Sequence, residues 1–114
     1  MRPESPALIW DARRAAARVV EFISDRCWND YQQDVMLRSA VERQFQIIGE
    51  ALNRLSQVDP GTAGLVPDLA RIVAFRNVLV HGYAQIDDAL VWEVASTRVQ
   101  ELTAVLAALL GEDS

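Results

Sequence analysis

Apolar residues in the first part of the chain recur at alternating spacings of four and three, as Leu8, Ala12, Ala15, Val19 and Phe22, with Ile9, Ala16, Val20 and Ile23 widening the stripe. This is the period of an α-helix with one face turned to a core, and it predicts a helix over about residues 6 to 27. Ser5-Pro6 supplies the start, with serine as N-cap and proline in the first turn, where its missing N–H costs nothing. Trp28-Asn29-Asp30 interrupts the pattern, and Asn29 or Asp30 can cap a longer second helix that carries Val41, Phe45, Ile48, Leu52 and Leu55 to about Ser56. Gly49 lies inside that helix at a cost of about 1 kcal/mol relative to alanine, and the usual compensation is close approach of another backbone. Asp59-Pro60-Gly61-Thr62-Ala63-Gly64 is the concentrated turn signal, and Pro67-Asp68 then opens a third helix bearing Leu69, Ile72, Val73, Leu79 and Val80, which Gly82 can end or kink. Asp87 or Asp88 can cap a fourth, with Val91, Ala95, Leu102, Val105 and Leu109, and Gly111 marks its stop. No segment alternates strictly and no solenoid repeat is visible. The expected fold is all-α: an up-and-down bundle of four main helices in a single domain over residues 1–114, with 1–5 and 111–114 as frayed tails.

Composition narrows the picture. With 51% hydrophobic and 24% charged residues, 5 Gly and 4 Pro in 114 residues, disordered, collagenous and low-complexity classes are excluded. A small helical domain this rich in apolar residues is expected to cover the excess by pairing, so a homodimer is anticipated. One cysteine, Cys27, permits neither an intrachain disulfide nor a cysteine-rich zinc site, fits a reducing compartment, and reads as a small buried hydrophobe. Uncharged stretches such as Leu102 to Leu110 are too short to span a bilayer, and Glu4, Asp11, Arg13 and Arg14 sit where a signal peptide needs an apolar run, so a cytoplasmic location is expected. The net charge is −5, and all 11 basic residues are arginine. A general electrostatic binder of nucleic acid carries the opposite sign, so RNA would have to be met by a local arginine cluster.

The chain has one histidine, His81, in the segment Arg71-Ile72-Val73-Ala74-Phe75-Arg76-Asn77-Val78-Leu79-Val80-His81-Gly82-Tyr83. Asn77 and His81, four apart, share a helix face, and Arg76 and Tyr83 align if the helix persists. Arg76 and His81 are about 140° apart around the axis and meet only if the arginine reaches round or the helix unwinds near Gly82. Arginine, histidine and tyrosine suit cleavage of a phosphodiester that carries its own nucleophile, the ribose 2′-OH of RNA: imidazole takes or gives the proton and guanidinium holds the phosphate. General acid and general base together are most easily supplied when two chains bring their His81 side chains into one cleft. No metal-ligand spacing accompanies the histidine, so neither a metal nor another cofactor is expected.

The pattern Arg76-x-x-x-x-His81-x-Tyr83, with Asn77 directly after the arginine, resembles the signature of HEPN-domain proteins, specifically the HepT-like toxin family. Upstream, Val41-Glu42-Arg43-Gln44-Phe45-Gln46-Ile47-Ile48-Gly49-Glu50-Ala51 is similar to that family's second-helix motif, and the likeness runs on to Val91-Trp92. The resemblance implies an all-helical homodimer acting as a metal-independent endoribonuclease toxin, encoded beside a minimal nucleotidyltransferase antitoxin that binds it and transfers AMP to the motif tyrosine. Carried over by position, Arg76 and His81 are catalytic, Asn77 is the polar residue supporting the site, and Tyr83 is the AMP acceptor. One departure is that Pro67 is followed by Asp68-Leu69, where the family often has a tryptophan, which puts in question the packing near the cleft entrance. Two other readings stay open: a non-catalytic HEPN subunit that binds a nucleotide or a nucleotidyltransferase partner, and a purely structural helical dimer. Among the neighbouring residues, Arg71 could extend a phosphate-binding strip or be merely solvated, and Glu50 with Arg43 reads as a structural charge network. Trp10, Trp28 and Trp92 read as core or interface anchors, although an exposed one near the cleft could stack on a base.

Overall fold

The computed structural model describes residues 1–82 and 86–111, and among these the regular structure is helical with no strand. The helices are α1 (Ser5–Ile23), α2 (Trp28–Gln33), α3 (Val35–Val58), α4 (Pro60–Ala63), α5 (Leu69–His81), α6 (Asp88–Thr97) and α7 (Val99–Leu109). The four main rods of the bundle are α1, α3, α5 and the α6–α7 pair. Its core is the seam between α1 and α3, where Ile9, Ala12, Ala15, Ala16 and Val19 meet Val41, Ile48, Leu52 and Leu55, all essentially inaccessible. Each fully buried leucine or isoleucine there contributes roughly 1.5–3 kcal/mol. The alanines of α1 let its backbone lie close to both α3 and α7.

The start of α1 departs from the expectation. Glu4 occupies the N-cap position, while Ser5 is the first helical residue, fully buried, with its Oγ donating to Asp59 Oδ2 at 2.8 Å. A tertiary partner 54 residues away has outcompeted the local cap. The backbone N–H of Arg2 donates to the same Oδ2 at 2.9 Å, so Arg2 and Ser5, which the sequence pattern leaves in a frayed tail, are tied to the end of α3. Asp59 also caps α4, accepting from Thr62 N–H and Thr62 Oγ1 at 3.1 and 2.7 Å. These donors, the Arg2 N–H foremost, hold its carboxyl well below the usual carboxylate range.

Other boundaries shift for identifiable reasons. Helix α1 stops at Ile23 and not at 27, and Asp25 follows with a left-handed φ of 61°. Cys27 therefore falls in the connection, exposed and at the N-cap of α2, which corrects the expectation that it is buried. Its N–H donates to Asp30 Oδ2 at 3.0 Å, so Asp30 braces α2 from inside its first turn. The long helix is capped instead by Asp34, whose Oδ1 accepts from the N–H groups of Met36 and Leu37 at 3.0 and 3.1 Å. The third helix begins at Leu69, two residues later than Pro67, with Asp68 before it in left-handed backbone at φ 59°. Asp87 caps α6 through Ala89 and Leu90, and the fourth rod is broken at Arg98 between α6 and α7. Gly111 follows α7 at φ 73°.

Helix α3 packs on α1 along one side and on α5 along the other, so α3 is the element that holds α5 in place. Phe45 of α3 and Phe75 of α5 meet edge to face with centroids 5.2 Å apart. Tyr31 of α2 is fully buried between Trp28 and Trp92, with ring centroids at 6.2 and 5.4 Å. Trp10 is not a core residue: it is 43% exposed beside Arg14, whose guanidinium carbon lies 5.1 Å from the ring centroid. The molecule is a slab of 42 × 33 × 18 Å. No helix among the described residues is long and apolar enough to cross a membrane.

Candidate active site

Helix α5 carries Arg71, Arg76, Asn77 and His81, and of its 13 residues only Leu79 is fully buried. Ala70, Ala74, Asn77, Val78 and His81 are exposed on one side, which the helical repeat places within about 100° of arc. The opposite side, with Ile72, Phe75 and Leu79, packs inward. His81 occupies the last helical position, and Gly82 closes the helix with its N–H on Val78 O at 2.7 Å. This end leaves the imidazole in solvent at the helix C-terminus.

Arg76 leaves α5 on the flank that faces α3, and its stem lies directly on Gly49. A Cβ at Gly49 would fall onto Arg76 Cβ, within 2.6 Å of Arg76 Cγ and 3.6 Å from Arg76 Cα, so the close approach predicted at this glycine is that of α5 at Arg76, backbone and stem together. From that seat the Arg76 guanidinium contacts residues of both helices. Its Nη1 donates to Asn77 Oδ1 at 2.9 Å, and Nη2 lies 3.5 Å from Glu50 Oε1. Asn77 lies on the helix face that bears His81, so the arginine is bonded to a residue of that face. Glu50 in turn lies 4.0 Å from Arg43 Nη1, and Arg43 donates to Gln46 Oε1 at 3.4 Å. Two arginines around one carboxylate leave a local positive charge on a chain whose net charge is −5.

Arg71 is not part of this group. It stands about 140° around the axis from Arg76 and lines a separate groove of about 460 Å³ between α5 and the α6–α7 rod, floored by Phe45 and Ile48. That groove, mostly apolar, includes none of Arg76, Asn77 and His81, so it and the face that bears Asn77 and His81 are different surfaces. Tyr83 lies outside the described residues. Among the described residues, no three His, Cys, Asp or Glu side chains cluster as a metal site would require. Spacing along α3 predicts a charge network of Glu50 with Arg43. The structure shows that network and adds the contact from Glu50 to Arg76 across the helix pair.

Fold and site together define a small all-helical domain whose polar chemistry is concentrated on one helix. The family described as Ribonuclease HepT-like matches residues 12–109, and the chain belongs to it. Its relatives include a Methanocaldococcus jannaschii protein named "Putative RNase MJ1380", 32% identical over 96 residues that make up 84% of this chain and 87% of the relative. A second protein of the same organism, named "Putative RNase MJ0127", is 25% identical over 113 residues, 94% of this chain and 91% of the relative. No solved structure gives a significant match.

Proposed function

We propose that the protein is a metal-independent endoribonuclease that acts as a homodimer and serves as the toxin of a pair whose antitoxin is a minimal nucleotidyltransferase. The observation that carries this reading is the Arg76 guanidinium bonded to Asn77 on the face that bears His81, in a member of a ribonuclease family. Arg76 holds the non-bridging oxygens of the scissile phosphate and the charge that builds on them, while Asn77 keeps the guanidinium turned to that face. One His81 takes the proton from the ribose 2′-OH as its oxygen attacks phosphorus. The P–O5′ bond breaks as the 2′,3′-cyclic phosphate closes, and a second His81 protonates the departing 5′-oxygen.

Since each chain has one histidine, the second is supplied by another copy. The exposed face of α5 favours such pairing: Ala70 and Ala74 allow close approach, and Val78 is 53% exposed beside them. Tyr83, two residues past His81, is the AMP acceptor through which the antitoxin silences the enzyme.

The test is incubation of protein of verified unmodified mass with total cellular RNA in EDTA, beside His81→Ala and Arg76→Ala. Cleavage by the wild type alone, leaving 2′,3′-cyclic phosphate ends, is expected. Wild-type protein that binds RNA or a nucleotide but leaves it intact would overturn the ribonuclease reading in favour of a non-catalytic binding subunit.

A further inference from the structure

An arginine on an exposed helix samples many rotamers, and its value for holding a phosphate depends on how far that freedom has been removed beforehand. In this protein three contacts act on Arg76, and two of them come from consecutive residues of α3. Gly49 admits the Cβ and Cγ of the stem into a space that no other residue type would leave. Beyond the stem, Nε is buried without a hydrogen-bond partner, so the inner edge of the guanidinium is turned into the protein. Glu50 Oε1 stands 3.5 Å from Nη2, and Asn77 Oδ1 takes Nη1 at 2.9 Å. A planar group with its inner edge buried and both outer nitrogens engaged has its plane defined.

The donor count is also suited to a phosphate. A guanidinium has five N–H groups; with Nε–H inside, one N–H directed to Asn77 and one to Glu50, each Nη nitrogen retains one for a ligand oxygen. Glu50 does not cancel the positive charge needed there, because Arg43 also faces its Oε1 at 4.0 Å.

We propose that Glu50, seated beside Gly49, is a positioning residue for Arg76: it orients the guanidinium toward the Asn77 and His81 face without itself touching the substrate. This rests on the ribonuclease reading for its catalytic consequence, whereas the orientation of Arg76 can be measured without any reaction. The opposite role is also conceivable on chemical grounds, since a carboxylate beside a phosphate-binding arginine could compete with the phosphate, and the experiment separates the two.

Wild type, Glu50→Gln and Glu50→Ala are compared for cleavage of one RNA oligonucleotide, for thermal midpoint, and for the NMR signals of the Arg76 guanidinium assigned against Arg76→Lys. Positioning predicts that Glu50→Ala lowers kcat by about tenfold with a smaller change in KM. It predicts a nearly unchanged thermal midpoint, because the Glu50 carboxylate is solvent-exposed, and partial recovery in Glu50→Gln, whose amide oxygen still accepts from Nη2. It also predicts that the Arg76 guanidinium nitrogens, distinct in the wild type, merge in Glu50→Ala and separate again in Glu50→Gln. Cleavage that is unchanged or faster in Glu50→Ala, or guanidinium signals indifferent to residue 50, would overturn the proposal. A wild type that shows the held guanidinium yet cleaves no RNA would instead overturn the ribonuclease reading and leave the clamp standing as a property of the binding face.

Discussion

Helices α1 and α5 are both rich in apolar residues, yet they use them differently. Five apolar side chains of α1, Ile9, Ala12, Ala15, Ala16 and Val19, vanish into the core at its contacts with α3, α6 and α7. On α5 only Leu79 does so, and Ala70, Ala74 and Val78 remain in solvent beside Asn77 and His81. Helix α1 is committed to holding the bundle, whereas α5 is held from one side, by α3, and offers the other. The proposed site lies on the element with surface to spare, since a residue at a full core contact has no access to a substrate.

Several changes would break or sharpen that contrast. The largest loss of stability is expected in the shared core: Leu52→Ala should cost about 2–5 kcal/mol in urea unfolding, because a fully buried side chain leaves a cavity. On the open side, Val78→Glu should change the stability of the folded chain by no more than about 0.5 kcal/mol, while sedimentation shows the proposed dimer dissociated; a variant that stays dimeric would remove this face of α5 from the interface. Gly49→Ala lies between the two regions. Overpacking against Arg76 should cost about 1–3 kcal/mol, partly offset by about 1 kcal/mol of better helix propensity. Because the clash is with a Cβ fixed to the α5 backbone, the two helices must shift and a net destabilisation of up to about 2 kcal/mol is expected; loss of the proposed RNA cleavage should exceed what thermal melting would suggest.

The smallest effect concerns the N-terminal tie. Because the folded-state pKa of Asp59 is depressed by the N–H of Arg2 and the hydroxyls of Thr62 and Ser5, its contribution is fully present above about pH 4, the ordinary range of an aspartate. That contribution is lost as the pH falls through the folded-state value. Asp59→Asn should therefore flatten the acid limb of a stability-versus-pH curve while leaving RNA cleavage at neutral pH untouched; an acid limb identical to wild type would show that the carboxylate does not stabilise the fold.

How much of this was legible in the sequence depended on whether the deciding partner was local. The helical stripes of α1 and α3 follow directly from the spacing of Ile9, Val41 and Leu52, since amphipathic period and burial are the same fact, whereas on α7 the stripe Leu102, Val105 and Leu109 is only partly buried and the fully buried residue is Leu106. The separation of α2 from α3 was obscured because Val35 and Met36, 63% and 80% exposed, look like continuing helix, although the aspartate that caps them stands immediately before. Ser5 does not cap its own helix, because its hydroxyl is claimed by Asp59, a partner that no local pattern announces. The break at Arg98 has neither glycine nor proline to announce it. At the site, Arg76, Asn77 and His81 could be proposed from spacing and residue type, and Gly49 could be flagged as a place where something approaches. That the approaching group is the Arg76 stem, and that Glu50 is the carboxylate above it, depends on the register between α3 and α5, which no local pattern encodes.

The exposed position of Cys27 has a practical consequence. Since it is the chain's one thiol, and α2 lies away from the α3–α5 seam, maleimide chemistry attaches one reporter per chain with the guanidinium and imidazole side chains untouched. Spin labels placed there would turn the arrangement of two copies into a single measurable distance, read in solution and followed as RNA is added.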